Sequence, residues 1–431
     1  MSWLPDNAPT VSGTSGSRRS PSPPSERAPL RLMLVSHLYP RPKAPAAGVF
    51  IENWMRAMAP QCLGVHVISP QVYVPPLLRW SRRYRGYIGP AEELRHGLHV
   101  SRPPYLRPPG TWFRRYEPRW VLRAVQPIAR RLHAQAPAHL LLAVNLLPDG
   151  LVGIELGKEL HLPVVVNAIG SDVTVIPNMG PRVRDLAKRV CRQADLILCQ
   201  SDEIRLKLLE LGAPPQRAIR FWRGLDIHAL RAIPSPQECR RDWALPEDGG
   251  KLLVFVGALV RPKGIFDLLE ALANLRPLRW RLGLVGEPTE LPAVLQRARQ
   301  LGIADRLIPA GSMERSRVLR RIEGADILVL PSYSEGMPNV VLEAFALGTP
   351  VVASRAGGLR ELANMDQPFW DFAAGDVAQL TRCLRQAIAD PQQAQARAAR
   401  AQRVVQEHFD MQRNCRQLLD MMKSLVRRGG L

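Results

Sequence analysis

Pro331-Ser-Tyr-Ser-Glu-Gly-Met-Pro-Asn-Val-Val-Leu-Glu-Ala-Phe-Ala-Leu-Gly-Thr-Pro-Val-Val-Ala-Ser354 follows the short apolar run Ile327-Leu-Val-Leu330, and together they read as strand, turn, helix and strand. Pro331 ends the first strand, Pro338 suits a first helical position, Gly348 suits the residue just past the helix, and Val351-Val-Ala353 starts another buried strand. Between Pro338 and Leu347 nearly every residue is apolar, which makes Glu343 a carboxylate on a helix that looks buried all round. A buried charge costs on the order of several kcal/mol unless something pairs with it. One candidate partner is a bound diol, such as the hydroxyls of a ribose. Glu335 stands eight residues earlier, in the turn feeding the helix. The two carboxylates therefore flank a helix N-terminus, whose free N–H groups and positive dipole end favour an anion.

Glu335 and Glu343, with Gly336-Met-Pro-Asn339 between them, resemble the paired-glutamate signature of the family 4 retaining glycosyltransferases. Similar blocks follow in the family's order: Val254-Phe-Val-Gly257, Lys263-Gly264, Leu284-Val-Gly286, Gly348-Thr-Pro-Val-Val-Ala353 and Gly357-Gly358. The resemblance is specific over about 250–364 and weaker, though ordered, over about 30–230. It implies an α/β protein of GT-B fold, with two Rossmann-like domains facing a central cleft. The division it suggests is a disordered tail at 1–28, an acceptor-side domain at 29–235, a nucleotide-sugar-binding domain at 236–408, and a final helix at 409–431 packing back on the first domain. Residues 1–28 are rich in Ser, Pro, Gly and Thr, the composition of a disordered segment, and Ile233-Pro-Ser-Pro236 reads as the linker.

With 431 residues, 46% of them apolar, the chain is long enough for two cores. No apolar run approaches the ~20 residues that span a bilayer, and the N-terminus lacks a signal-peptide hydrophobic region. The six cysteines (62, 191, 199, 239, 383 and 415) show no Cys-x-x-Cys spacing, so reduced thiols in a cytoplasmic protein are expected rather than disulfides or a zinc site. Net charge is +21, of which residues 1–235 carry +16 from 32 basic and 16 acidic side chains. Thirteen arginines crowd 79–131 against Glu92, Glu93 and Glu117, interleaved with Trp80, Tyr84, Tyr87, Trp112, Phe113, Tyr116 and Trp120. Arginine with interfacial aromatics suits an anionic membrane surface at the cytoplasmic face, and a solvated basic face is the alternative. Nucleic acid is disfavoured, because no helix-turn-helix, zinc or stacking pattern accompanies the charge.

Along the chain, Leu30–Ser36 reads as a first strand buried on both faces, with His37-Leu-Tyr-Pro40 at its carboxyl end, where open parallel sheets bind ligands. Gly48 opens a helical pattern to Met58, and Gly64–Ser69 is a second strand. The proline-rich stretch 70–115 suggests an insertion with short strands rather than a core element. From Trp120 on, helix and strand alternate as in a parallel sheet covered on both faces.

What the resemblance implies for the site is specific. Glu335 positions the transferred sugar, and Lys263 neutralises the departing diphosphate. Glu343 holds the ribose hydroxyls, while the backbone of Gly336, Met337, Pro338, Asn339 and Val340 supplies helix-terminus contacts beside Gly257. Gly48, Gly170 and Asp172 fall on the acceptor side, with Asp172 open to a second reading as a helix cap. Three departures mark this chain: Ile169 where the family most often has histidine, Arg223 in place of an asparagine, and Ala258 where an arginine often helps clamp the diphosphate. Arg261 stands two residues before Lys263 and could swing its guanidinium into that gap; the alternative is that Arg261 is solvated and the loop after the first strand or the helix N-terminus supplies the rest.

The expected co-substrate is a nucleoside-diphosphate sugar, with no metal and no other cofactor, and the expected acceptor is a saccharide, lipid-linked at the membrane. Lysine and a helix N-terminus can stabilise the leaving group, and no Asp-x-Asp follows a strand. Two rivals remain at this stage: a nucleotide-sugar epimerase of the same architecture, and a catalytically silent scaffold at a membrane.

Overall fold

The computed structural model describes residues 29–42, 44, 47–78, 80, 88–107, 115–230, 232–244 and 250–429. The 1–28 segment and Tyr84, Tyr87, Trp112 and Phe113 lie outside the described residues. Within them the first sheet runs, edge to edge, Ala218–Arg220, Leu196–Cys199, Val164–Asn167, Leu140–Val144, Leu30–Val35, Cys62–Ile68, Leu98–Ser101 and Glu92–Arg95. Neighbours are parallel except the last pair, which is antiparallel. The central strand shows why its sequence is apolar without alternation. Leu30, Leu32 and Leu34 face one helical layer while Met33 and Val35 face the other, and both sides are dry.

The second sheet runs Leu307–Gly311, Trp280–Val285, Lys251–Val256, Ile327–Leu330, Val351–Ser354 and Trp370–Phe372, all parallel. Leu253 and Phe255 pack into one core and Leu252 and Val254 into the opposite one. In both sheets the strand order reverses beside a central strand. Leu30–Val35 lies between Cys62–Ile68 and Leu140–Val144, and Lys251–Val256 lies between Trp280–Val285 and Ile327–Leu330. Each reversal opens a crevice at the carboxyl ends of the strands, where doubly wound folds bind ligands.

The chain crosses between the two units twice, and the crossings are zipped together. Leu225 N–H donates to the Phe409 carbonyl at 2.8 Å and Met411 N–H to the Leu225 carbonyl at 3.0 Å. Gly224, at φ 77°, lies so close to Phe409 that a Cβ would overlap its carbonyl oxygen. Beyond this crossing the helix Met411–Gly429 lays Met411, Cys415, Leu418, Leu419 and Met422 into the core of the first unit, against Trp54 and Met58 of the helix Val49–Met58.

Two local expectations need correction, and two strands were not foreseen. Pro338 is the residue before the helix Asn339–Leu347 (φ −75°, ψ 112°), not its first residue. The 70–115 stretch is not merely an insertion: Leu98–Ser101 and Glu92–Arg95 extend the principal sheet because Leu98 and Val100 have apolar cover. Two short edge strands, Ala218–Arg220 and Trp370–Phe372, carry too few residues to show a period.

Candidate functional site

At the reversal of the second sheet, two turns are clipped together. Tyr333 N–H donates to the Pro262 carbonyl at 3.0 Å, and Gly264, at φ 69°, sits directly against the Pro331 carbonyl. This brings Lys263, in the 3-10 turn Arg261–Lys263, to the turn that follows Ile327–Leu330. Its Nζ lies 2.7 Å from Glu335 Oε1, with the Glu335 side chain only 11% exposed. The Glu335 turn is braced from behind. Gly358 N–H donates to the Gly336 carbonyl at 2.8 Å, and any Cβ on Gly357, at φ 55°, would overlap the Glu335 carbonyl oxygen. Gly257, at the end of Lys251–Val256, stacks against Gly286 at the end of the next strand, keeping side chains off the crevice floor.

No side chain caps the helix Asn339–Leu347, so its leading N–H groups stay available beside Met337 and Asn339. One turn in, the buried Glu343 has a partner that sequence reading did not supply: Arg315 Nε at 2.8 Å. Burial raises the Glu343 carboxyl above its ordinary value, and the Arg315 guanidinium opposes that rise. Asn339, Glu343 and Arg315 share a cavity of about 760 Å³ with Phe50, Arg56, Arg223, Asp226 and Arg416 of the first unit and the crossing. Arg223 stacks over Phe50 at 4.4 Å and donates to the Gln200 amide oxygen.

Arg261 is not part of this cluster. Its guanidinium stacks on Phe266 at 4.5 Å, 3.9 Å from Glu290, and the side chain is 75% exposed. The local ring and carboxylate hold it outward, and the expected substitution for the missing arginine at Ala258 is not seen.

On the facing unit, the Ile169 carbonyl comes up against Gly336, which places the end of Val164–Asn167 opposite the Glu335 turn. Gly170 borders open space. Asp172 does not reach the cleft and does not cap the helix that follows. It is 1% exposed and accepts from Ile169 N–H at 3.1 Å, Gly170 N–H at 2.8 Å and Leu146 N–H at 2.9 Å, tying two strand ends together. Gly48 precedes the helix Val49–Met58 at φ 75°, packed against the Leu38 carbonyl, and the next two residues, Val49 and Phe50, line the cavity. Two further bonds close the cleft at its rim, from Asp202 N–H and Arg220 to Glu361.

Residues 237–404 match the family model described as glycosyl transferases group 1. These residues form a group 1 glycosyltransferase domain. The chain is 28% identical over 341 residues to a Bacillus subtilis protein assigned to teichuronic acid biosynthesis as a glycosyltransferase, covering 78% of this chain and 84% of that one. Against the glycogen synthase of Mycobacterium tuberculosis the identity is 33% over 237 residues, or 54% of this chain and 55% of the relative. Among solved structures, the sucrose-phosphate synthase of Thermosynechococcus elongatus superposes with a TM-score of 0.76 at 19% identity over 93% of this chain and all of that one. Anabaena HepE, in complex with UDP and glucose, gives 0.71 at 18% over 92% of this chain and all of that one. These structures establish the fold, which is GT-B: two Rossmann-like units with their carboxyl edges facing one cleft.

The basic segment is reshaped by the structure. Arg95, Arg102, Arg107, Arg130 and Arg131 pair with Glu52, Glu93, Glu117, Glu159 and Glu92, and Arg102 is fully buried. Arg79, Arg82, Arg83, Arg85 and Arg114 lie outside the described residues. At the edge of that segment Leu77 and Trp80 are 93% and 92% exposed. Among the described residues no helix is long and apolar enough to cross a membrane, and no group of three or more His, Cys, Asp or Glu side chains is placed to hold a metal.

Proposed function

We propose that this enzyme moves a hexosyl unit from a nucleoside-diphosphate sugar to a saccharide acceptor, with retention of configuration and without a metal. The observation that carries the reading is the Lys263–Glu335 pair at 2.7 Å beside an uncapped helix N-terminus. An incoming diphosphate competes for the lysine and takes up the helix N–H groups, and the released Glu335 carboxylate is then free to hold sugar hydroxyls. Glu343 keeps one oxygen on Arg315 and offers the other to a ribose hydroxyl. Leaving-group charge is met by a cation and a helix dipole already in place, which favours the transition state over the ground state.

The acceptor we propose is a lipid-linked saccharide of a cell-surface polysaccharide, met at the inner face of the membrane. The likeness to the teichuronic acid protein supports the polymer class, and the exposed Leu77 and Trp80 beside the arginine-rich segment support the surface. A thermal-shift screen against UDP-, GDP- and ADP-sugars tests the donor: a ligand at one hundred times its dissociation constant adds about 2.7 kcal/mol. Absence of any shift, together with no sugar release, would refute the donor reading. Sedimentation with anionic and neutral vesicles tests the surface: a preference for anionic lipid that high salt removes is expected, with Leu77→Ser/Trp80→Ser weakening binding to both.

A further inference from the structure

The strand reversal of the first sheet also holds a polar pair, and the donor scheme makes no use of it. His37 is the second residue past Leu30–Val35, and Asp149 lies in the turn past the neighbouring strand Leu140–Val144, so the two side chains meet across the crevice. Asp149 Oδ2 accepts from His37 N–H at 3.0 Å and lies 2.7 Å from His37 Nδ1. Asp149 is fully buried and its other oxygen has no partner among the described residues. A buried carboxylate that accepts a backbone N–H has no proton to give, so the proton between them sits on Nδ1. Nε2 is then the lone-pair nitrogen. The His37 side chain is 30% exposed, and Nε2 has no hydrogen-bond partner among the described residues.

The pair belongs to the run of strand ends in the first unit that includes the Ile169 turn. The Ile169 carbonyl is against Gly336, Asp172 ties the Ile169–Gly170 turn to Leu146, and the Leu146 turn runs into Asp149. We propose that His37, oriented by Asp149, is the proton acceptor for the attacking hydroxyl of the acceptor. As the acceptor oxygen bonds to the anomeric carbon, the bond from that carbon to the diphosphate oxygen breaks and its electron pair leaves with the nucleoside diphosphate. The hydroxyl proton passes to Nε2, giving an imidazolium whose Nδ1–H stays on Asp149, and solvent takes the proton afterwards. This role rests on the proposed transfer reaction but not on the identity of the acceptor, because water can stand in for it.

The charged groups facing His37 are Asp149, Glu117 and Arg41. Burial is the largest influence and pulls the imidazole down, but the charge and hydrogen bond of Asp149 together with the Glu117 carboxylate outweigh it, and the net displacement is upward from 6.5. The base form therefore appears only above that raised value. The test measures glucose release from UDP-glucose between pH 5.5 and 9, alongside UDP affinity by calorimetry. Wild-type turnover should climb through a pKa above 6.5. His37→Gln should lose that limb and about 100-fold in kcat at pH 8 with UDP affinity within twofold. Asp149→Asn should shift the limb to lower pH. A His37→Gln enzyme with kcat within twofold and the same limb overturns the proposal while leaving the donor reading intact. Failure of the wild type to bind any of UDP, GDP and ADP, with no sugar released from their glucose conjugates, overturns both.

Discussion

Replacing Arg315 by Met isolates what the buried Glu343 carboxylate requires. The pair is 2.8 Å apart, with side chains 38% exposed on the arginine and 9% on the glutamate. At an effective dielectric near 20, charge centres about 4 Å apart attract by about 4 kcal/mol. The exposed part of Arg315 is screened, which leaves about 1–3 kcal/mol of coupling. Burial raises Glu343 above its unfolded value and Arg315 holds it down, so removing Arg315 raises it further. The penalty in Arg315→Met should then be largest at high pH, shrink as the pH falls through the raised folded values, and vanish once the carboxyl is protonated in both folded proteins. Urea unfolding of wild type, Arg315→Met, Glu343→Gln and the double variant, at pH 8 and pH 5, gives the coupling directly. A coupling under about 0.5 kcal/mol at pH 8, or one of equal size at both pH values, would show that the charge on Glu343 needs no partner here and that packing alone holds the helix.

Other perturbations divide the site. Glu335→Gln should lower kcat with UDP affinity nearly kept, because its sugar contacts form in the transition state, whereas Lys263→Ala should raise the donor KM about tenfold or more; matched effects on both parameters would contradict the separate roles. Arg261→Ala should leave the donor KM within twofold, since its guanidinium lies on Phe266, and steady-state kinetics with the donor decide it. Away from the cleft, Glu323 has a buried oxygen without a partner, and burial pushes its carboxyl up to about 7. Its ionisation opposes folding progressively between about pH 4.3 and 7, so Glu323→Gln should add about 1–2 kcal/mol at pH 8 and nothing at pH 4, read from urea midpoints.

The second unit was legible because its strands are buried on both faces and its turns carry glycine and proline where the backbone needs them. Trp280–Val285 and Ile327–Leu330 lie where the apolar runs place them, and Gly348 ends its helix in the left-handed conformation at φ 81°. The first unit was harder to read. Leu98–Ser101 is a central-sheet neighbour written in four residues between prolines, and nothing local marks its partner, which is Cys62–Ile68 some thirty residues back. Sheet edges are fixed by long-range cover rather than by period.

The same division explains which site residues could be foreseen. Glu335, Lys263 and the helix at Asn339 are tied to turns, so a one-dimensional pattern marks them. Arg315 and Glu343 sit 28 positions apart on separate helices, and His37 and Asp149 are 112 apart in the turns that follow separate strands. No spacing rule links such residues; only the order of strands does. The sequence did carry one half of each signal, an isolated carboxylate in an apolar helix and a histidine at the carboxyl end of a central strand, because burial makes a charge conspicuous before its partner is known. Asp172 shows the converse. Its motif pointed to the acceptor, yet three backbone N–H groups claim its oxygens and bind the Ile169 turn to the Leu146 turn. With those oxygens committed and Ile169 in place of histidine, the titratable ring that a buried carboxylate fixes at the strand reversal of the first unit, among the described residues, is His37, and the proposed proton transfer rests on that pair.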